Sequence, residues 1–175
     1  MDEMTTKEVT ETVEEQFETV VEELGVGYVD LMLLHWPAVM DSRSPGNAAR
    51  RLAAWRVLEQ MHERGQARAI GVSNFSEHHI EKLMGDGAEV LPMVNQIEAS
   101  AYKSWDDIKS YCDEKGIKLM ACSPLGMGKT MVLNCHVLKS IAQKKGATVA
   151  QVALRSQLPT GAMANEATPR LATNP

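Results

Sequence analysis

The chain has 175 residues, 44% of them hydrophobic and 23% charged, so it is long enough to bury a core and too apolar to be disordered. Its net charge of −5 comes without any run of Lys or Arg, which argues against nucleic acid as a partner. The three cysteines lack CxxC spacing, which argues against a disulfide framework or a zinc site. No stretch reaches the roughly 18 apolar residues of a membrane span. We therefore expect a soluble, cytoplasmic protein with no membrane partner.

The first predicted elements are a helix and a strand. A capping-box pattern at Thr5–Glu8 is followed by apolar residues at helical spacing as far as Gly25, which predicts a helix over Thr6–Leu24. The run Tyr28–Leu34 is almost continuously apolar, as is typical of a parallel strand buried on both faces. The polar residue His35 follows it directly.

Three more strands and five more helices are predicted further along the chain. The strands are Ala67–Val72, a short run after Pro92 that ends at Ile97, and Ile117–Cys122. The helices are residues 52–64, residues 76–84, Trp105–Lys115, Val137–Lys145 and a last helix from Thr148 to Leu158. From Pro159 to Pro175 no periodicity survives, so we expect one domain over residues 1–158 and a disordered tail over 159–175.

Alternation of strands and helices predicts an α/β protein with parallel strands. Four strand–helix units are about half of the eight in a TIM-type (β/α) barrel, which needs roughly 250 residues. We therefore predict a partial barrel. Its outer strands, Tyr28–Leu34 and Lys118–Cys122, are expected to have unpaired edges through which the chain could self-associate.

Polar residues follow each apolar strand run in the sequence. The carboxyl ends of parallel strands meet at one rim of a barrel, so we expect these residues to share one site. By themselves they have plain alternatives, since a histidine can be a core residue and a Ser-Asn pair a helix cap. The residues expected to cluster are His35, Ser73, Asn74, Gln96 and Ser123.

Taken together, these segments resemble the aldo-keto reductase family. The resemblance extends from about Thr5 to Leu158 and rests on Tyr28–Pro37, Gly71–Phe75, Val94–Glu98 and Ser123–Gly126. It implies an eight-unit barrel that reduces aldehydes or ketones to alcohols with NADPH, with NADH as a possible substitute and without a metal.

The resemblance also implies roles for the residues at the strand ends. His35 would orient the carbonyl of the substrate, because an imidazole can donate a hydrogen bond to developing oxyanion charge, and Trp36 would contact the substrate. Ser73, Asn74 and Gln96 would bind the carboxamide of the nicotinamide ring, since amides offer both a donor and an acceptor.

The segment after the fourth strand would hold the pyrophosphate of the cofactor. Ser123, Leu125 and Gly126 belong to it, and small residues there let the backbone approach phosphate oxygens. The family usually has an aromatic residue before the serine, whereas this chain has Cys122.

The same segment also fits a P-loop in part, because Gly126–Thr130 follows a strand and ends in Gly-Lys-Thr. Against that alternative, Ser123 stands where the P-loop has its first glycine, and Pro124 removes an amide donor. His78 and His79 are adjacent on a helix and do not face each other, so no metal site is predicted there.

The catalytic Asp, Tyr and Lys of the family lie on strands before the matched region and have no counterpart in this sequence. His35 is the one member of that set that the resemblance identifies. We therefore expect an impaired enzyme, as in a reductase fragment, because losing a general acid costs about 10²–10⁴-fold in rate. The alternative is a non-catalytic remnant or interaction module whose strand edges are covered by a partner.

Overall fold

The computed structural model of the chain describes residues 5–37, 46–103, 106–126, 130–157 and 163–165. It comprises two compact units. The first contains the residues up to Asn95 together with 114–117, and the second contains residues 96–113 and those from Lys118 onward.

The first unit alternates helices and strands. Its elements are α1 (Thr6–Leu24), β1 (Val29–Leu34), α2 (Asn47–Glu63), β2 (Ala67–Ser73), α3 (Glu77–Gly85) and the first two residues of β3 (Val94–Glu98). The predicted bounds of α1 are confirmed. Thr5 accepts a hydrogen bond from the N–H of Glu8, whose carboxylate accepts one from Thr5, and Gly25 ends the helix in the left-handed region.

The strands β1 and β2 pair in parallel, with Leu31 opposite Ala69 and Leu34 opposite Val72. β2 is the more deeply placed strand, because the side chains of Ile70 and Val72 are fully buried. Gly71 is required by this packing: a Cβ atom there would collide with the carbonyl oxygen of Val94 and lie 2.8 Å from Cδ2 of Leu33. The glycine therefore permits the close approach of the strands that carry site residues at their ends.

β1 is not the strand buried on both faces that its apolar run predicts. Each of its six residues is half-buried or exposed, and Asp30 is exposed. Among the described strands of the first unit the order is β1-β2-β3, so β1 lies at the end of this order and pairs with β2. An apolar run indicates that a strand can be buried, and the position of the strand in the sheet determines whether it is buried.

α2 supplies much of the core of the first unit. Trp55 is fully buried, and its indole N–H donates to the carbonyl of Val90 at 3.1 Å. One carboxylate oxygen of Glu59 accepts from the N–H groups of Glu89 and Val90, at 2.7 and 2.8 Å. These contacts hold the segment between α3 and β3 against the helix.

The second unit begins within β3. Its other elements are α4 (Asp106–Lys115, whose last two residues belong to the first unit), β4 (Lys118–Cys122), α5 (Thr130–Asn134), α6 (His136–Lys145), α7 (Val149–Gln157) and β5 (Met163–Asn165). The buried residues Val132, Leu138 and Ala153 join α5, α6 and α7 in one cluster. The predicted cap of α7 is present, since Thr148 accepts from the N–H of Gln151.

The short strand β5 corrects two expectations. Residues 163–165 lie in the range predicted to be a disordered tail, yet they pair in parallel with β4, with Met120 opposite Met163. β4 is therefore not the unpaired edge that was predicted. A three-residue strand is too short to show a period of two, so the sequence carried no signal for it. The rest of that tail, 158–162 and 166–175, lies outside the described residues.

The boundaries of two strands also differ from the prediction. β3 ends at Glu98, one residue beyond the predicted Ile97, so Gln96 lies inside the strand and does not follow it. β2 extends one residue beyond the predicted Val72, so Ser73 is its last residue and Asn74 is the first residue after it. Across the part of the chain that the structure describes, no helix is both long and apolar enough to cross a membrane.

Candidate functional site

The end of β1 presents an exposed aromatic pair. His35 and Trp36 are both exposed, and their ring centroids lie 5.6 Å apart at a tilt of 35°. The next residue, Pro37, is buried, and its carbonyl accepts a hydrogen bond of 3.1 Å from the buried guanidinium of Arg51. Arg51 in turn reaches the carboxylate of Asp86 at 3.4 Å. The segment is thus anchored immediately after the residues that face solvent.

Asn74 joins the end of β2 to the end of β1. Its side-chain nitrogen Nδ2 donates to the carbonyl of His35 at 3.0 Å and to the hydroxyl of Ser73 at 3.1 Å. The backbone of Asn74 lies in the left-handed region with φ of 62°, which asparagine tolerates better than most residues. The structure therefore brings three of the predicted site residues together: His35, Ser73 and Asn74.

The hydrogen bonds of Asn74 determine which group it can offer to a ligand. The amide nitrogen donates to both groups here, and a flip would place Oδ1 against the His35 carbonyl, which cannot donate. The oxygen Oδ1 has no hydrogen-bond partner in the described part of the chain. In this orientation Asn74 presents Oδ1 as a hydrogen-bond acceptor for a ligand.

Asn95 is a residue of this region that the sequence analysis did not assign to the site. It is fully buried, and its Nδ2 donates to the carbonyl of Phe75, the residue after Asn74, at 2.9 Å. Its Oδ1 is buried without a hydrogen-bond partner among the described residues. The available signal was a polar residue within a strand of apolar neighbours, directly before Gln96.

His79 stabilises the start of α3, just after this turn. Its Nδ1 accepts a hydrogen bond from the N–H of Ser76 at 3.2 Å, in place of the usual Glu or Gln of a capping box. Its ring lies edge-on to the ring of Phe75, with 5.8 Å between centroids. Burial, followed by the positive charge of Arg51 and the neighbouring His78, lowers the pKa of His79 below its ordinary value.

No metal centre can be assigned to these histidines. Within residues 5–37, 46–103, 106–126, 130–157 and 163–165, no group of three His, Cys, Asp or Glu side chains lies close enough to hold an ion.

In the second unit, Gln96 lies against the next strand. Its side-chain nitrogen Nε2 donates to the thioether sulfur of Met120 in β4 at 3.0 Å. Sulfur is a weak acceptor, so this contact orients the amide without binding it as firmly as an oxygen would.

The other predicted residues of the second unit form a turn after β4. Ser123 has a φ of 56° and Gly126 a φ of 80°, and the N–H of Gly126 donates to the carbonyl of Ser123 at 2.8 Å. Leu125 is half-buried and packs against the apolar cluster of α5–α7. Cys122 Sγ lies 3.5 Å from the hydroxyl of Ser123.

The P-loop alternative falls largely outside the described residues, which omit Met127, Gly128 and Lys129. Of the predicted site, His35, Trp36, Ser73 and Asn74 belong to the first unit, whereas Gln96, Ser123, Leu125 and Gly126 belong to the second. That both groups form one site stays a prediction.

Comparison with known proteins gives a consistent result. A model of the aldo/keto reductase family matches residues 2–163, which extends past the predicted domain end at 158. Glyoxal reductase of Bacillus subtilis (strain 168) is 42% identical over 151 residues, covering 86% of this chain and 50% of that protein.

Solved structures of similar fold include two reductases. The crystal structure of an aldo/keto reductase from Brucella melitensis has a TM-score of 0.77 at 35% identity, covering 89% of this chain and 56% of that one. The crystal structure of a Bombyx mori aldo-keto reductase in complex with NADP has a TM-score of 0.76 at 27% identity, covering 90% of this chain and 53% of that one.

This chain spans about half the length of the curated relatives it matches. Its parallel strands alternate with helices, and its likeness to these reductases confirms the predicted α/β fold of a partial (β/α) barrel. The resemblance inferred from the motifs is likewise confirmed. The chain belongs to the aldo/keto reductase family.

Proposed function

We propose that this chain serves the NAD(P)H-dependent reduction of an aldehyde or ketone to an alcohol. NADPH is the proposed cofactor and NADH a substitute, and the substrate is a small carbonyl compound. The observation that carries the proposal is the fixed amide of Asn74, whose two protons are bound by His35 and Ser73 and whose oxygen is left as an acceptor. Family membership and the NADP complex of the Bombyx mori relative support it.

The residues of the first unit fit the nicotinamide end of such a cofactor. A carboxamide has an N–H₂ donor and a carbonyl acceptor. We assign the donor to Oδ1 of Asn74, with Ser73 as the neighbouring hydroxyl that orients the Asn74 amide. Gln96 would contribute a further amide. When bound, the reduced nicotinamide would supply the hydride, and solvent at the exposed His35 would supply the proton for the resulting alkoxide.

The turn after β4 fits the pyrophosphate end. Its left-handed backbone at Ser123 and Gly126 is a conformation in which successive N–H groups can form a concave anion site. Leu125 fastens this turn to the core, so its part is to hold the backbone in place.

His35 is the proposed catalytic group. Its exposed imidazole stands at the carboxyl end of β1, with its backbone carbonyl held by Asn74, and an N–H there can stabilise charge on the carbonyl oxygen of a substrate. The exposed ring of Trp36 would form an apolar wall for the substrate.

Two further proposals concern the setting of the protein. We place it in the cytoplasm, because Cys112, Cys122 and Cys135 form no disulfide, as is usual in a reducing compartment. Self-association through β1 remains a proposal, supported by the half-buried and exposed residues of that strand.

The decisive test separates cofactor binding from turnover. We would titrate the chain calorimetrically with NADPH and with 2′-phospho-ADP-ribose, which lacks the nicotinamide ring. NADPH should bind about tenfold more tightly, and Asn74→Ala should abolish that difference, because a pair of hydrogen bonds is worth about 1–2 kcal/mol. Equal binding of both ligands by the unaltered chain would contradict the nicotinamide assignment.

Turnover is measured separately, with a reactive aromatic aldehyde and His35→Ala as the matched variant. Turnover that depends on His35 would support the reductase proposal. Binding of NADPH without any turnover would favour the non-catalytic alternative.

A further inference from the structure

Asn95 has an environment that packing alone does not explain. Its side chain has 0% exposure, Nδ2 donates to the carbonyl of Phe75 at 2.9 Å, and Oδ1 is buried without a partner in the described part of the chain. An unpaired buried acceptor is unfavourable, so the presence of an amide at this place in β3 points to a role for its donor, Nδ2.

The side-chain hydrogen bond of Asn95 is directed at the turn after β2. Phe75 follows Asn74, whose left-handed backbone is a sparsely populated conformation that persists only when its surroundings impose it. On one side of Asn74, Ser73 is buried at the end of β2. On the other side, the carbonyl of Phe75 is held by Asn95.

A second contact holds the same residue by its ring. His79, at the start of α3, places its ring edge-on to that of Phe75 and accepts from the N–H of Ser76. Phe75 is 1% exposed, so both its carbonyl and its ring are fixed from within the first unit. The turn is thus clamped at the residue after Asn74.

We infer that Asn95 is a positioning residue: by holding the carbonyl of Phe75 it keeps Asn74 in the left-handed conformation in which the Asn74 amide bonds His35 and presents its oxygen. The clamp itself rests on the geometry of the first unit. What Asn74 would bind rests on the proposed function, and the experiment below keeps the two apart.

The test is backbone hydrogen exchange of the full chain carrying Asn95→Leu, which keeps the branched shape of the side chain and removes the donor. We expect exchange at residues 74–76 to become about tenfold faster or more, because the turn can then open locally. The matched control is Trp55→Phe, which removes another buried side-chain hydrogen bond to a backbone carbonyl, that of Val90. Trp55→Phe should leave exchange at residues 74–76 unchanged.

Unchanged exchange in Asn95→Leu, or an equal increase in Trp55→Phe, would overturn the inference. If Asn95→Leu does not fold, Asn95→Ala is judged by the same criterion, since a methyl group cannot donate to the Phe75 carbonyl. Failure of both to fold would assign Asn95 a structural role and also overturn it.

Cofactor binding gives the second measurement. Where the unaltered chain binds NADPH, Asn95→Leu should raise the dissociation constant about tenfold and leave binding of 2′-phospho-ADP-ribose unchanged. Hydrogen exchange at residues 74–76 could respond to Asn95→Leu as expected while the unaltered chain binds no NADPH. That outcome would support the positioning role of Asn95 and contradict the proposed function.

Discussion

Two turns carry most of the candidate site residues, and they hold the same unusual conformation by different means. Among the described residues, the non-glycine residues with positive φ are Asn74, after β2, and Ser123, after β4. Asn74 is held by side chains: its own amide bonds His35 and Ser73, and Asn95 bonds the next carbonyl. Ser123 is held by the backbone, through the N–H of Gly126.

The difference indicates what each turn can tolerate. A turn fastened by named side chains is sensitive to single substitutions of those side chains. A turn fastened by a backbone hydrogen bond and by the packing of Leu125 depends instead on main-chain conformation. The predictions below test this contrast.

The largest effect is expected just before the first turn, at Gly71. Gly71→Ala would place a methyl group against the Val94 carbonyl and 2.8 Å from Cδ2 of Leu33, so we expect the free energy of unfolding to fall by about 3 kcal/mol. Urea denaturation measures it. Gly85→Ala is the control, since a Cβ atom at Gly85 meets nothing within 4 Å; a similar loss in both variants would contradict the steric explanation.

The second effect concerns Asn74. Asn74→Ala removes two hydrogen bonds and puts a less tolerant residue in the left-handed region, so we expect a loss of about 1–2 kcal/mol in the free energy of unfolding. Asn74→Gly loses the same hydrogen bonds but relieves the backbone, so it should be less destabilising. If Asn74→Gly unfolds at a lower temperature than Asn74→Ala, the role assigned to the left-handed backbone of Asn74 is wrong.

The turn after β4 should respond in the opposite direction. Ser123→Gly removes the cost of a left-handed φ of 56° and leaves the Gly126 hydrogen bond in place, so we expect a gain of about 0.5–1 kcal/mol. Ser123→Ala keeps the strain and should change little. Chemical denaturation that shows Ser123→Gly to be clearly destabilised would mean that the Ser123 side chain holds this turn after all.

The smallest effect is a pH dependence at the start of α3. The pKa of His79 is lowered by burial and by the charges of Arg51 and His78, and its Nδ1 must be unprotonated to accept from Ser76. The unfolded state therefore binds this proton more readily than the folded state. The contribution of His79 to the free energy of unfolding should be fully present above its ordinary pKa of 6.5. It should be lost as the pH falls through the lower pKa that His79 has in the folded state.

His79→Gln is the comparison for that prediction, because glutamine keeps a capping acceptor and does not titrate. The free energy of unfolding of the unaltered chain should fall relative to His79→Gln between about pH 7 and pH 5. Parallel pH profiles of the two chains would contradict the assignment of the titration to His79.

Local signals in the sequence were sufficient for most elements. The capping box and the helical period located α1 to the residue, because these patterns act within a few residues of each other. The outer position of β1 was predicted from the number of strand–helix units, but its partial exposure was not, since an edge strand and a central strand can share one apolar pattern. β5 was missed because three residues carry no period.

For the candidate site, residue types were predictable and their contacts were not. The polar residues at strand ends indicated Ser73 and Asn74, and their hydrogen bond is between neighbours in the chain. The bonds from Asn74 to His35 and from Asn95 to Phe75 join residues far apart in sequence, so only the fold could reveal them. Without those contacts, Asn95 looks like an ordinary polar residue in a strand.

The exposure of Trp36 gives the protein an optical reporter beside His35. Its side chain is 58% exposed, whereas that of Trp55 is fully buried, so a dissolved quencher reaches one indole and not the other. In a Trp105→Phe background, fluorescence quenched by iodide should come from Trp36 and the shielded remainder from Trp55. A reduced nicotinamide absorbs where indole emits, so loss of the Trp36 signal would register a ligand arriving next to the imidazole.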